Sequence, residues 1–307
     1  MRICNFGSLN IDRVFRLPRI VRGGETLPAA SLATFAGGKG ANQSVALARA
    51  GAAGVRVSHA GCIGDDGRWL IDKLNDAGVD TTHVRTLDDA PTGQAIIQVD
   101  DAGENAIILL AGANHRVTAE HVAAALEDLA ADDWLLLQNE INDVSGIIDA
   151  AAARGLRVAL NPAPFTDAVR RYPLAKVELL CVNEHEAAGV LASDDVQDVD
   201  AALEALGRVA GGDVVLTRGS AGVAWRGRDG SRLDKPAADR GPVLDTTAAG
   251  DTFVGYYLAQ LAAGAGVAAA LERAVQAAGL CVTRPGAMDS IPQAGEVGHS
   301  SSAPESQ

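Results

Sequence analysis

The feature that most constrains this chain is a repeated alternation of short apolar segments with longer segments of helical character. Runs with strand character, such as Trp134 to Gln138 and Arg157 to Asn161, alternate with alanine-rich segments such as Val144 to Arg154. Parallel strands joined by helical crossovers give this pattern. The sequence therefore predicts an α/β fold with a mostly parallel central sheet.

Two pairs of strand-like segments interrupt this alternation. The first pair falls within residues 13–35, around Gly23-Gly24, and the second within residues 92–110, around the turn Asp100 to Gly103. Short apolar segments on either side of a glycine-containing turn are typical of antiparallel strand pairs. We predict that the two insertions form one small sheet that lies over the main domain as a lid.

Composition restricts the class of protein. The 307 residues are 48% hydrophobic, which suffices for a sizeable core, and the net charge of −13 disfavours nucleic-acid and anionic-membrane partners. The four cysteines are scattered singly, and we find neither a signal peptide nor an apolar run of membrane-spanning length. We expect a cytoplasmic protein with one domain over residues 1–292 and a disordered tail over 293–307.

The stretch Asp245 to Phe253 combines small residues, a glycine and an acid directly before an apolar helical segment. Unpaired backbone N–H groups and the helix dipole at such a helix start favour an anion. Asp251 beside it could take a proton from a hydroxyl while the amides stabilise a transferring phosphoryl group. The residues alone leave open that Asp251 only caps the helix.

Gly37 to Asn42 is a second glycine-rich stretch, and we expect it to open a helix over residues 43–50. It is not a Walker A loop, because no Ser or Thr follows Lys39, and it does not match GxGxxG. Its glycines allow the backbone to approach a small ligand, with the Lys39 and Asn42 side chains within reach of hydroxyl groups. The alternative is a flexible turn into a helix.

Polar residues also follow several predicted strands, where ligands collect in open α/β sheets. Ser8 to Asp12, Asn139-Glu140 and Asn183 to Glu186 have this position. Asn183 and Glu186 are three residues apart on a first helical turn, so they can face one site together. They also fit a helix capping box, and the two roles are compatible.

Together these stretches resemble the PfkB family of sugar kinases, in its ribokinase branch, over residues 2–292. The two family signatures are similar to Gly37 to Asn42 and Asp245 to Phe253. Smaller matches are Asn10-Ile11-Asp12, Ala111 to Asn114, Leu160 to Pro164, Asn183 to Glu186 and Val282 to Ala287. The resemblance implies a three-layer α/β/α fold with a mostly parallel sheet and a small β-sheet lid.

The resemblance also implies a role for each matching residue. Asp251 would be the catalytic base, and the backbone amides of Ala248, Ala249 and Gly250 the anion hole for the γ-phosphoryl group. The sugar-binding positions would be Asn10, Asp12, Gly38, Lys39, Gly40, Asn42, Glu140 and Asp251. The nucleotide-binding positions would be Asn183, Glu186, Thr217, Arg218, Gly219, Ser220, Ala221, Gly222 and Gly250.

Two metal ions are implied in the same way. Mg²⁺ would accompany ATP near Asn183 and Glu186, mostly through water, and K⁺ would bind behind the anion hole as an activator. The positions that match the K⁺ site are Asp245, Thr247, Cys281, Arg284, Gly286 and Ser290. The chain departs from the family after Gly64-Asp65-Asp66, where it is shorter, and at Val275, where relatives often have His or Asn near the adenine.

We therefore expect an ATP-dependent kinase that phosphorylates O5 of D-ribose, giving D-ribose 5-phosphate and ADP, and that forms a homodimer through the lid. A kinase for another sugar or a nucleoside remains an alternative within the same fold. A dinucleotide-dependent oxidoreductase is disfavoured by the missing GxGxxG motif. A non-catalytic sugar-binding sensor is disfavoured by the intact Asp251.

Overall fold

The computed structural model describes residues 1–193 and 196–298. The strands are β1 Arg2–Phe6, β2 Asn10–Arg16, β3 Ser31–Gly37, β4 Arg56–Gly64, β5 Asp80–Leu87, β6 Gly93–Val99, β7 Asn105–Leu110, β8 Trp134–Gln138, β9 Arg157–Asn161, β10 Leu179–Asn183, β11 Asp213–Thr217, β12 Val223–Arg226 and β13 Arg232–Lys235. The helices are α1 Lys39–Arg49, α2 Arg68–Asp76, α3 Ala119–Glu127, α4 Val144–Ala153, α5 Glu184–Leu191, α6 Val199–Val209, α7 Ala249–Ala262 and α8 Val267–Cys281.

The main sheet has nine strands in the order β13-β12-β11-β10-β9-β8-β1-β4-β5. Neighbouring strands from β5 to β11 pair in parallel, and β12 and β13 extend one edge in antiparallel pairing. All five residues of β8 are buried, as expected for a parallel strand with helices on both faces. The predicted mostly parallel sheet is confirmed.

Each face of this sheet has its own apolar core. Successive side chains of a strand point to opposite faces, so Ile3 packs with α1, α7 and α8 in one core, while Cys4 packs with α3 and α4 in the other. The molecule thus has the three layers that the sequence predicted. Within the described ranges, the structure contains no helix with both the length and the hydrophobicity of a membrane span.

The second sheet has four strands in the order β3-β2-β6-β7. Strand β2 pairs antiparallel with β3 and parallel with β6, which pairs antiparallel with β7. One small sheet is therefore assembled from two separate insertions, as predicted. Asn10 is in register with both Gly37 and Gly93, so these three residues mark the end of the lid nearest the main domain.

Helix α1 begins at Lys39, four residues before the predicted start at residue 43. Its first-turn amides find acceptors elsewhere in the fold: Lys39 N donates to Glu140 Oε2 at 2.9 Å, and Gly40 N donates to Ser8 Oγ at 3.1 Å. Ala41 N donates to the Ser8 carbonyl at 2.9 Å. The glycine-rich stretch carries no local capping residue, so only tertiary partners stabilise this helix start.

The predicted disorder from residue 293 is wrong for residues 293–298. Val297 is fully buried, and Arg273 Nη2 of α8 donates to the Ala294 carbonyl at 2.6 Å. Glu296 pairs with Arg284 at 2.7 Å. The remainder of that predicted tail, residues 299–307, lies outside the described residues.

Candidate active site

A cleft of about 780 Å³ lies between the lid and the carboxyl ends of the central strands. It brings together residues from distant parts of the chain. The predicted site residues that line it are Asn10, Asp12, Gly38, Lys39, Asn42, Glu140, Asn183, Glu186, Thr217, Asp245, Thr247, Ala248, Gly250, Asp251 and Gly286. Both glycine-rich stretches therefore face one cavity.

The other predicted site residues do not line this cleft. They are Gly40, Arg218, Gly219, Ser220, Ala221, Gly222, Ala249, Cys281, Arg284 and Ser290. Gly40 is turned toward the protein interior, since a Cβ there would lie 2.4 Å from the Ser8 backbone nitrogen. This glycine lets α1 approach the end of β1, which places its neighbours Lys39 and Asn42 at the cleft.

The carboxyl groups of Asp12, Glu140 and Asp251 lie near one another in the cleft. Burial, followed by the charges of Glu140 and Asp251, raises the pKa of Asp12 to about 7. Burial also raises the pKa of Glu140. The charge of Asp251 is the main cause that raises the pKa of Lys39, so this ammonium group stays protonated among the acids.

Asp251 lies on the first turn of α7, and its side chain is only 7% exposed. Two neighbouring side chains of α1 hold its carboxylate: Asn42 Nδ2 donates to Oδ2 at 3.0 Å, and Gln43 Nε2 donates to Oδ1 at 2.9 Å. Each oxygen keeps a further lone pair. The carboxylate is thus fixed in direction and still able to accept a proton from a ligand hydroxyl.

The turn before α7 leaves backbone donors open. Ala248 has a left-handed conformation with φ 62°, and no side chain caps the helix. Ala249 N donates to the Thr246 carbonyl at 3.3 Å, whereas the amides of Ala248 and Gly250 have no acceptor in the described part of the chain. A Cβ at Gly250 would meet nothing within 4 Å. Two of the three predicted amides are therefore free to bind an anion.

Asn183 and Glu186 form the capping box that the sequence allowed, and both line the cleft. Glu186 N donates to Asn183 Oδ1 at 2.8 Å, while Asn183 N donates to Glu186 Oε2 at 3.0 Å. Burial raises the pKa of Glu186. The helix cap therefore also presents a fixed carboxylate to the cavity.

The segment after β11 reaches the cleft only at its start. Thr217 lines the cavity, and residues 218–222 then turn away through a short 3₁₀ helix. Gly222 has φ +87°, and a Cβ there would lie 2.1 Å from the Lys235 carbonyl oxygen. Val275, where relatives often have His or Asn, lies on α8 with its side chain buried in the core.

Most of the positions predicted for a monovalent cation lie close together behind the turn that precedes α7. Asp245 Oδ1 accepts from Thr247 N and its Oδ2 from Gly286 N, both at 2.9 Å. Cys281 Sγ lies 3.1 Å from Ser290 Oγ and donates to the Thr247 carbonyl at 3.7 Å. The Arg284 side chain is instead paired with Glu296. Among residues 1–193 and 196–298, no group of three or more His, Cys, Asp and Glu side chains is arranged to hold a metal.

A family model described as pfkB family carbohydrate kinase matches residues 1–294 of this chain. The chain belongs to the pfkB family of carbohydrate kinases. The resemblance inferred from the two signatures is confirmed.

Named relatives of this pfkB-family chain include the ribokinase of Haemophilus influenzae, 35% identical over 293 residues, which cover 93% of this chain and 94% of that protein. The structure of ribokinase from Cryptococcus neoformans in complex with ADP has a TM-score of 0.83 and 36% identity, and the match covers 96% of this chain and 98% of that one. Arabidopsis thaliana ribokinase, complexed with ribose and ATP, has a TM-score of 0.85 and 27% identity, with 96% of each chain covered.

Three polar residues of this pfkB-family site were given no individual role from the sequence, although Ser8 and Asn114 lie in stretches that it singled out. Gln43 was assigned only to a helix body, although it contacts Asp251. Asn114 is buried, and its Nδ2 donates to Asn10 Oδ1 at 2.8 Å, which orients a predicted sugar-binding side chain. Ser8 donates to Glu140 and accepts from Gly40 N. The signal for Ser8 and Asn114 was their place in stretches already singled out, whereas Gln43 lies between Asn42 and Ser44 and no local pattern distinguishes it.

Proposed function

We propose that the protein phosphorylates D-ribose at O5 with ATP, producing D-ribose 5-phosphate and ADP. The observation that carries this proposal is the position of Asp251, a buried carboxylate between the polar sugar end of the cleft and the open amides that precede α7. Membership of the pfkB family and the similarity to ribokinases support it.

The sugar would bind beneath the lid among Asn10, Asp12, Lys39, Asn42 and Glu140. A polyol needs both kinds of partner, since carboxylates accept hydrogen bonds from its hydroxyls while amide and ammonium groups donate to them. Gly38, with φ +91°, lets the backbone turn closely past this site.

Asp251 would act as the catalytic base. It takes the proton of the O5 hydroxyl as O5 forms a bond to the γ-phosphorus and the bond from phosphorus to the ADP oxygen breaks. The free amides of Ala248 and Gly250 would donate hydrogen bonds to the oxygens of the transferring group, where negative charge is concentrated.

The nucleotide would occupy the end of the cleft formed by Asn183, Glu186 and Thr217, with Arg218 to Gly222 beside it. Mg²⁺, a general requirement of ATP-using kinases of this kind, neutralises charge on the phosphate oxygens when bound. Glu186 suits this role, because a magnesium ion bound to phosphates often has one or two protein carboxylates nearby, reached directly or through water. The fixed, buried carboxylate of Glu186 would be such a group, with its negative charge facing the magnesium ion.

K⁺ would bind behind the anion-binding turn, near the Thr247 carbonyl, Cys281 and Ser290. Oxygen atoms of carbonyl and hydroxyl groups suit such a cation. Asp245 already ties this turn to Gly286. A cation there would hold in place the turn that carries Ala248 and Gly250, and would thus favour phosphoryl transfer electrostatically.

The lid would serve two purposes. Its cleft-facing apolar side chains, including Val14 and Ile97, would exclude water from the reacting groups when the lid closes. Apolar residues on both faces of the lid are also exposed, with Ile107, on the cleft side, at 53% and Ile108, on the opposite side, at 59%. A contiguous exposed apolar surface favours association, and we infer that a second copy of this chain covers it.

A cytoplasmic location would suit the four cysteines. They are unpaired and buried. Burial raises the pKa of Cys4 to about 12 and that of Cys62 to about 11, so these thiols are poor nucleophiles. Reduced thiols of this kind are typical of the cytoplasm.

The test is an acceptor panel of pentoses, hexoses and nucleosides, assayed by coupled ADP detection with and without K⁺. We expect D-ribose to give the highest kcat/KM and K⁺ to increase it. Turnover of a hexose or a nucleoside without turnover of ribose would overturn the assignment of the acceptor. ADP release that no acceptor stimulates would overturn the proposed reaction itself.

A further inference from the structure

A row of buried amide side chains lies beneath the cleft. Asn5 on β1, Gln138 on β8 and Asn161 on β9 come from three adjacent strands of the main sheet, and Gln138 is in register with Asn161. Gln43 of α1 lies against them, and all four side chains are at least nine-tenths buried. Burying an amide is costly unless hydrogen bonds replace those to water, so each contact in this row is informative.

Hydrogen bonds determine the orientation of the Gln43 amide. Its Nε2 donates to Asp251 Oδ1 at 2.9 Å and to Asn161 Oδ1 at 3.0 Å. Its Oε1 accepts from Gln138 Nε2 at 2.7 Å. The Asp251 carboxylate can only accept, so the amide nitrogen must face it, and both of its hydrogens are used.

Asn161 extends this connection toward the nucleotide end. Its Nδ2 donates to the Cys181 carbonyl at 3.0 Å and to Glu186 Oε2 at 3.2 Å. Both partners are acceptors, so the Asn161 oxygen must face Gln43. Three consecutive hydrogen bonds therefore join Asp251 to Glu186 through Gln43 and Asn161.

We propose that Gln43 is a positioning residue for phosphoryl transfer. It fixes the direction of the Asp251 carboxylate and, through Asn161, holds that carboxylate in a constant relation to Glu186 at the nucleotide end. This inference rests on the proposed sugar-kinase function. We call the three hydrogen bonds from Asp251 through Gln43 and Asn161 to Glu186 the bridge. The bridge keeps the catalytic base aligned, and alignment matters because a small displacement of such a base can cost a large factor in rate.

Other charged groups also act on Asp251. Lys39 lies on α1, Asp12 on the lid, Glu140 after β8 and Glu186 on α5, and each interacts electrostatically with it. These groups stay unchanged in a Gln43 variant. A change in pH dependence between wild type and variant therefore reports on the Gln43 contact.

The first test replaces the donor by a carboxyl group of the same shape, Gln43→Glu. Two facing carboxylates resist joint ionisation, so the acid limb of the kcat profile should move to higher pH by about one unit or more. At neutral pH, kcat should fall by about 10- to 1000-fold, because the base is misdirected and partly protonated. The KM for ribose should change by less than about threefold, since no sugar contact is removed.

Gln43→Met separates charge from alignment. It removes the hydrogen bond and adds no charge, so kcat should fall by about tenfold or more, with a smaller displacement of the acid limb than Gln43→Glu gives. Asn161→Asp keeps the acceptor for Gln43 and removes the donor to Glu186, so it should mainly raise the KM for Mg-ATP. The matched control is Gln260→Glu on the far part of α7, which should behave as wild type.

These outcomes are distinguishable from failure of the proposed function. If wild type phosphorylates sugar and both Gln43 variants keep its kcat and its pH profile, the positioning role is wrong. If wild type phosphorylates no sugar, the function is wrong, and a double-mutant cycle of Gln43→Met with Asp251→Asn on urea unfolding tests the contact by itself. Measurable coupling in that cycle supports the bridge, and additivity overturns it.

Discussion

At the scale of single residues, the cleft shows how surroundings decide the chemistry of an acid. Asp12, Glu140 and Asp251 are all carboxylates, but each has different partners. Asp251 accepts two amide hydrogen bonds, Glu140 accepts from a backbone amide and a serine, and Asp12 lies near both of the other acids. The same side chain can therefore act as a base in one position and as a hydrogen-bonding group for a ligand in another.

Replacing the proposed base tests the mechanism most directly. Asp251→Asn keeps the shape and much of the polarity of the side chain but cannot accept the O5 proton. We expect kcat to fall by roughly two to four orders of magnitude, with ribose and ATP still bound in calorimetric titrations. The surface variant Asp149→Asn, which loses only a pair with Lys176, is the control. An unchanged rate for Asp251→Asn would exclude this residue as the base.

The position of Asp12 makes a prediction about stability and pH. Its pKa rises from 3.8 to about 7 in the folded state, so the stability that its protonated form contributes is present below about pH 4 and is lost as the pH rises through 7. Asp12→Asn should therefore gain stability relative to wild type between pH 5 and pH 8, by about 1–3 kcal/mol. Urea unfolding of both proteins at pH 5 and at pH 8 measures this difference in the free energy of unfolding.

The control for that experiment is Asp72→Asn, a change at an exposed carboxylate. Its stability relative to wild type should be the same at both pH values. If Asp12→Asn also shows no pH-dependent gain, the carboxyl group is not held in the surroundings described above.

At the scale of elements, the site depends on how closely α1 and α7 pack. Helix α1 supplies Lys39, Asn42 and Gln43, while α7 supplies Asp251. The two helices meet at Gly255, where a Cβ would lie 2.4 Å from Ala46 Cβ and 2.8 Å from Leu47 N. Glycine at this position lets the two helix backbones approach, which brings Asp251 within hydrogen-bonding distance of Asn42 and Gln43.

Gly255→Ala should therefore damage the site from one turn away. The added methyl group must push α7 from α1, which we expect to cost about 1–3 kcal/mol of stability and to lower kcat by about tenfold or more. Gly266→Ala, where a Cβ would meet nothing within 4 Å, is the matched control. Thermal unfolding and steady-state kinetics would measure both effects, and wild-type behaviour of Gly255→Ala would contradict the close packing.

At the scale of the whole molecule, the two sheets contribute different parts of the cleft. The main sheet and its helices carry the groups proposed to act on ATP, and the lid carries Asp12 and apolar side chains that face the part of the cleft proposed to bind the sugar. Asn10, Gly37 and Gly93 lie side by side where the lid begins. Binding of a sugar there would connect the two parts of the molecule.

The exposed apolar lid predicts the oligomeric state. Light scattering should give about twice the 31.4 kDa mass of one chain if, as proposed, a second copy covers the exposed apolar surface of the lid. Ile107 lines the cleft, whereas its neighbour Ile108 points to the opposite face of the lid. The variants Ile107→Lys and Ile108→Lys therefore probe opposite faces of the lid. The variant whose lysine lies in the dimer interface should dissociate the dimer, and the other should not. A wild-type monomer at all concentrations would contradict this proposal.

Much of this architecture was predictable from local patterns. The alternation of strands and helices indicated a parallel sheet with helices on both faces, because burial on two faces gives near-continuous apolar strands. The two interruptions indicated the lid, and the glycine-rich stretches beside Lys39 and Asp251 indicated the site. Chain segments that bind ligands through backbone groups need small residues, and this need is visible in a sequence.

By itself, the sequence determined the fold class, the lid, the family and many of the residues that line the cleft, since each depends on residue types at short spacing. Tertiary structure alone decided the start of α1, the raised pKa of Asp12, the order of residues 293–298 and the bridge from Asp251 through Gln43 to Glu186. The physical reason is that hydrogen bonds and burial depend on partners far away in the chain, such as Gln43 and Asp251, which are 208 positions apart. No local pattern specifies which of two distant polar groups will meet.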